Sequence, residues 1–272
     1  MKKNILVTTL VIILSAILLV GCGSSSDDEA NKVIKVGATP SPHAEILEAV
    51  RGEVEAAGYE LEIVEFQDYI LPNTSLDTGE LDANFFQHQP YLTDFNDNNG
   101  TDLVSVGVVH YEPLGIYKGS KSSIADLKAG DKIAVPNDTT NEARALQLLQ
   151  AEGIIKLKDG VGLEATKIDI IENPYDVEIV ELEAAVIPRS LPDLALAVIN
   201  GNYALSAELT SDDAIAYEAA DSEAAEEFAN VIAVKSENKD SEKSKVLYQA
   251  ITSDTVKSFI KDKYKGSVLI AF

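Results

Sequence analysis

The chain has 272 residues, an apolar fraction of 46%, a charged fraction of 25% and a formal net charge of −23. This is the composition of a globular protein with a sizeable core, and its acidic balance excludes a binder of nucleic acid or of anionic lipid headgroups. Its single cysteine excludes a disulfide within the chain.

Met1, Lys2 and Lys3 form a short basic start, Ile5 to Val20 is almost wholly apolar, and Leu19-Val20-Gly21-Cys22 ends the run with small residues beside the cysteine. Residues 1–21 are therefore read as a secretory signal ending in a lipobox. The alternative is a spanning anchor, but roughly 16 apolar residues fall short of the roughly 20 that a bilayer-crossing helix needs. Cys22 is the expected site of lipidation, which would hold the mature chain on the extracytoplasmic face of the cell membrane. Residues 22–31, rich in Ser, Asp and Gly, read as a flexible tether. Losing Lys2 and Lys3 with the signal takes the net charge from −23 to −25, so the body is expected to stand off the membrane on its anchor.

From Lys32 onward, short β runs alternate with helical stretches. Val33 to Thr39 predicts a strand, and Ser41 with Pro42 predicts the N-cap and first position of a helix through Ala57, stopped by Gly58. Strands are expected over Leu61 to Phe66, Leu103 to Val109 and Lys132 to Val135, followed by a helix from Glu142 to Glu152 that Gly153 stops. Further strands are expected over Ile168 to Glu172, Val177 to Glu181 and Leu196 to Ile199. The pattern is α/β. Breaks around His110 to Gly119 and near Asn230 to Val234 read as crossings between two lobes, residues 32–112 plus 232–272 and residues 113–231. Two such lobes joined by two strands make a clamshell, whose cleft is the natural place for a ligand.

Two stretches concentrate chemistry. Phe66, Tyr69, Phe85, Phe86, His88 and Tyr91 fall close together in a chain that has only 6% aromatics and no Trp. Aromatics at that spacing serve a core or a cleft-facing loop, and the interleaving of polar residues through Gly79 to Tyr91 suits the loop equally well. The second stretch, Pro136 to Leu146, leads through Asx and Thr residues from a strand into a helix, whose free N–H groups and dipole favour an anion. Arg144, one of only three arginines with Arg51 and Arg189, lies one turn inside. There it could grip a carboxylate bidentately or form a surface ion pair. In the first role it would carry little structural burden without ligand.

Other patterns fail. Gly160 to Ala165 has dinucleotide-fingerprint spacing but follows the polar Lys156 to Asp159 rather than a strand. Asp94 to Gly100 puts Phe95 where a calcium loop needs its first ligand, and reads as a solvated turn. His43, His88 and His110 lie far apart, so no metal site is expected, and no hydrolase, zincin or nucleotide loop is present. Catalytic residues and cofactors are expected to be absent.

These stretches together resemble the NlpA-type methionine-binding lipoproteins, the substrate-binding components of methionine ABC importers. The resemblance runs through the lipobox, Val36 to Pro40 with Pro42 to Glu45, Asp68-Tyr69 with Pro72-Asn73, Leu81 to Leu92, and Ile133 to Asn141 with Arg144 to Leu146. It continues through Glu181 to Ala184, Pro188 to Leu191, Val198 to Ala204 and Tyr264 to Gly266, departing from the common pattern at Ala195 and Glu208. It implies a two-lobed periplasmic-binding-protein type II clamshell with two crossover strands, a methionine or methionyl ligand, an ABC permease as partner, and no nucleic acid. It also implies that Tyr69, Phe86 and His88 line a side-chain pocket, that Arg144 with Asn141 holds the α-carboxylate, and that Asn200 or Asn202, with Asn230, fixes the polar end. A thioether gains from aromatic contacts and a buried zwitterion needs charge-assisted partners, which agrees with that division. A receptor for a short peptide or another apolar amino acid is the nearest rival, and an adhesion or structural lipoprotein is the rival from another class.

Overall fold

The computed structural model describes residues 32–210, 212–219 and 226–272. The signal, Cys22 and the tether lie outside them. Among the described residues, no helix is long and apolar enough to cross a membrane.

In chain order the strands are β1 (Val33–Ala38), β2 (Glu60–Glu65), β3 (Ala83–His88), β4 (Leu103–Tyr111), β5 (Gly115–Lys118), β6 (Lys132–Pro136), β7 (Lys156–Leu157), β8 (Ile170–Glu172), β9 (Glu178–Leu182), β10 (Leu196–Ile199), β11 (Ala214–Tyr217), β12 (Asn230–Lys235) and β13 (Leu269–Ile270). They form a six-stranded sheet ordered β13-β4-β12-β3-β1-β2, a five-stranded sheet ordered β11-β5-β10-β6-β9, and a β7-β8 pair. Each larger sheet is the spine of one lobe. In the first, β1 is parallel to β2 and β3, while β12 runs antiparallel between β3 and β4. The chain leaves this sheet after Tyr111, builds the second from residues 115–217, and returns through β12. The fold is thus a two-lobed α/β clamshell.

Each lobe has its own core. Val36, Leu47, Phe85, Ile232 and Ile260 lie in one of the first lobe's clusters, and Ile116, Val135, Leu146, Leu149 and Val198 in one of the second's. The helix Thr139–Ala151 shows why these residues adopt this form: Asp138 caps it by accepting the Asn141 N–H at 3.0 Å, and Ala145, Leu146 and Leu149 present a buried stripe to the sheet.

Two sequence expectations need correction, and one left open is decided. Ser41 is extended (φ −122°, ψ 137°), so regular α-helix begins only at Glu45, because Pro42 disfavours helical backbone in the residue before it. Asp94 to Asn99 is not a solvated turn but the end of the helix Gln89–Asn99, closed by Gly100 at φ 67°. Of the core and loop readings left open for this stretch, residues 83–88 take the core one, as an interior strand buried along its whole length. Its polar residues tolerate that position because Asn73 serves them: its Oδ1 accepts from Asn84 Nδ2 at 2.8 Å and Gln87 Nε2 at 2.7 Å, while its Nδ2 donates to Gln87 Oε1 at 2.8 Å.

Candidate functional site in the interlobe cleft

The parallel strands point their C-terminal ends at the seam between the lobes, where an open α/β sheet offers a crevice. His88 ends β3 and caps the following helix: its Nδ1 accepts the Tyr91 N–H at 3.1 Å. That bond leaves the ring proton on Nε2, which donates across the seam to Asn141 Oδ1 at 3.2 Å. Burial, aided by the Arg144 charge, holds His88 down to about 3, so the ring is a neutral donor at ordinary pH.

Asn141 Oδ1 also accepts from Asn200 Nδ2 at 2.8 Å, and Asn141 Nδ2 donates to Asp138 Oδ1 at 2.8 Å. Tyr69 donates from the first lobe to Asn202 Oδ1 at 2.5 Å. Its ring lies 5.8 Å from both Phe86 and Tyr91 and 4.9 Å from Tyr203 of the second lobe. These rings wall one end of the cleft and present polarizable faces and edges. Two amide atoms are left over: Asn200 Oδ1, an acceptor, and Asn202 Nδ2, a donor, are buried without a partner. Such groups cost free energy until something fills them.

The opposite end is ionic. Glu112, at the first crossing, is 6% exposed; its Oε1 lies 2.7 Å from His110 Nε2 and 3.4 Å from His43 Nε2. Burial pushes Glu112 up despite the charge of Arg144 and the Asn202 N–H, and the same burial holds His43 at about 4 and His110 at about 3. The carboxylate therefore has neutral imidazoles beside it. His43 is fixed by Thr39 Oγ1 at 2.7 Å and by Asn230 Oδ1 at 3.1 Å. The three groups have donor atoms within 4.8 Å of one another, close enough to hold a metal ion, although the sequence pointed to none. Arg144 Nε and Nη2 reach Glu218 at 2.8 and 2.5 Å, and Nη2 also donates to the Glu112 carbonyl at 3.0 Å. Burial would lower Arg144, but Glu218 outweighs it and the guanidinium stays above its ordinary value. The ion pair that Arg144 makes is buried, not on the surface, and Arg144 carries structure even without ligand.

Tyr69, Phe86, His88, Asn141, Arg144, Asn200, Asn202 and Asn230 all line this one cleft. His43, Gln87, Tyr91, Glu112 and Gly201 line it too; the sequence marks Tyr91 only within the aromatic group and His43 only among the scattered histidines, and gives the other three no role. Glu112 sits in a Glu-Pro step at a lobe crossing, a position that could have flagged it. Gly201 had no local signal: a Cβ there would stand 2.7 Å from Glu112 Cβ, so only glycine lets the two segments meet.

A two-lobed α/β body with an aromatic wall at one end of its cleft and paired charges at the other is a substrate-binding protein. The NlpA lipoprotein profile matches residues 34–272, and the chain belongs to that family. It is 42% identical over 261 residues to the D-methionine-binding lipoprotein MetQ of Salmonella typhimurium, covering 94% of each chain. Among solved structures, a lipoprotein from Ruminococcus gnavus shares 55% identity at a TM-score of 0.87, covering 89% of this chain and 100% of that one. A nutrient-binding protein from Burkholderia cenocepacia, bound to methionine, shares 46% identity at a TM-score of 0.83, with 88% and 100% covered.

Proposed function

We propose that the chain is a lipid-anchored extracytoplasmic receptor that captures methionine, or a methionyl derivative, and delivers it to an ABC importer. The observation that carries this is the polarity of the cleft: a dry aromatic wall at one end, and at the other an acid, a guanidinium and two unpaired amide atoms. A thioether side chain fits against Tyr69, Phe86, Tyr91 and the edge of His88. The ligand ammonium meets Glu112 and Asn200 Oδ1; its carboxylate meets Arg144 Nη1, which makes no hydrogen bond among the described residues, and Asn202 Nδ2. Asn141 and Asn230 serve as supports, one tying His88 to Asn200 and the other holding His43.

Every lining group then has a binding or positioning task and none is posed as nucleophile or proton carrier, which supports a receptor over an enzyme. The relatives' names and the methionine in the Burkholderia structure support the ligand class. The lipobox supports anchoring through Cys22. Calorimetry of the purified full chain against free amino acids, methionyl dipeptides, sugars and divalent metals should single out a methionyl compound. Tight binding of a sugar or metal with no response to any amino acid or peptide would overturn the proposal.

A further inference from the structure

Glu218 holds Arg144 in a way that a displaceable stand-in for ligand would not. Its carboxylate accepts Arg144 Nε and Nη2, Tyr111 Oη at 2.6 Å and the Leu114 N–H at 2.9 Å. Tyr111 and Leu114 belong to the first crossing and Glu218 follows β11, so the carboxylate is locked between the two passages of the chain. Phe228 stacks on the guanidinium at 4.3 Å and turns its ring to His88 at 5.0 Å. Leu114 N–H and Tyr111 Oη fix the Glu218 carboxylate, which in turn accepts two N–H groups of the guanidinium, and with the Phe228 ring stacked on its face Arg144 is held in place while its Nη1 makes no hydrogen bond among the described residues. Arg144 thus has its counter-ion in Glu218, whereas among the described residues no Lys or Arg pairs with the Glu112 side chain, whose Oε1 lies against His43 and His110. The acidic group of the cleft left without a guanidinium or ammonium partner is therefore Glu112.

We infer that Glu218 is a positioning residue and resident counter-ion for Arg144, and that it makes the cleft demand the ligand's ammonium more than its carboxylate. The class of ligand widens accordingly: primary amines on a methionine-like side chain bind even where the carboxyl group is missing or amidated, and amine-free acids do not. This rests on the methionine-binding reading above. The probes are 3-(methylthio)propylamine and 4-(methylthio)butanoate, each of which deletes one charge from methionine and adds no bulk, titrated with methionine into the detergent-solubilised full chain. Wild-type protein should bind the amine at least about tenfold more tightly than the acid. Glu218→Gln, which keeps the shape and frees the Arg144 charge, should shift that ratio toward the acid by about tenfold, while a merely structural role would weaken both probes in parallel. Acid binding that equals or exceeds amine binding in the wild type overturns the inference, and that comparison needs no variant to fold. Parallel loss of both probes in Glu218→Gln overturns it as well. If methionine itself fails to bind, the proposed function falls and takes this inference with it; if methionine binds and the ratio is inverted, only the inference falls.

Discussion

At one corner of the cleft Arg144 meets a carboxylate that the chain itself supplies, whereas at the other Glu112 is buried among neutral rings. Exposure does not separate them, since Arg144 is 4% and Glu112 6% exposed. Partnership does. A buried charge with its partner in place is a structural element that a ligand joins late, while a buried charge without one is a vacancy that a ligand completes. The lesson is that a binding residue cannot be ranked by burial or charge alone; what already satisfies it decides how much a ligand gains there.

The largest effect that sharpens this contrast is expected from Arg144→Ala. It strands Glu218 where a ligand carboxylate would come, so methionine affinity should fall by about a hundredfold or more. It should also lower the ligand-free melting temperature, because the broken pair is buried. Calorimetry with ligand-free melting reads both; a lost affinity with unchanged melting would mean that Glu218 is not a true partner. Glu112→Gln should cost about tenfold to a hundredfold in methionine affinity with little loss of ligand-free stability, since burial already disfavours that charge. A large drop in melting temperature with affinity intact would reverse the roles of the two corners.

Protonation probes the histidine-lined corner separately. Burial holds His43 at about 4 and His88 and His110 at about 3, against an ordinary 6.5, so the unfolded chain takes up protons that the folded one refuses. Ligand-free stability should therefore fall as pH drops from about 6.5 toward 4, by on the order of 2 kcal/mol per imidazole at pH 5. The raised Glu112 works the other way, lending stability below its ordinary value that fades as pH rises through its folded one. Urea unfolding at pH 7 and pH 5 measures the net change, which His110→Asn should shrink; a wild-type curve flat over that range would contradict the neutral-ring assignment. The smallest effect is expected from Tyr69→Phe, which removes the 2.5 Å bond to Asn202 and keeps the ring. A loss of a few-fold in methionine affinity fits one hydrogen bond, and a loss as large as that of Glu112→Gln would move the centre of recognition to the aromatic end.

Local signals explain what was legible beforehand. The strand-to-helix step into Arg144 was readable because an Asx cap and an apolar stripe are short-range, and the structure finds that helix at Thr139–Ala151. The aromatic density of Tyr69 to Tyr91 was readable too, but not its form. Residues 83–88 read equally as core or as loop because Asn and Gln rarely sit in an interior strand, and the Asn73 side chain that satisfies them is contributed by a different element.

By itself the sequence determined the α/β alternation, and its resemblance to the methionine-binding lipoproteins implied the eight residues that do line one cleft. The alternation was legible because periodicity and capping act over a few residues, whereas the site set rested on the resemblance along the whole chain. Only the tertiary structure decided how those residues are partnered: Arg144 with Glu218, 74 positions away, His43 with Asn230, 187 away, and Gly201 against Glu112. A buried charge or amide is settled by whichever group the fold carries to it, and no pattern near either residue records which group that will be.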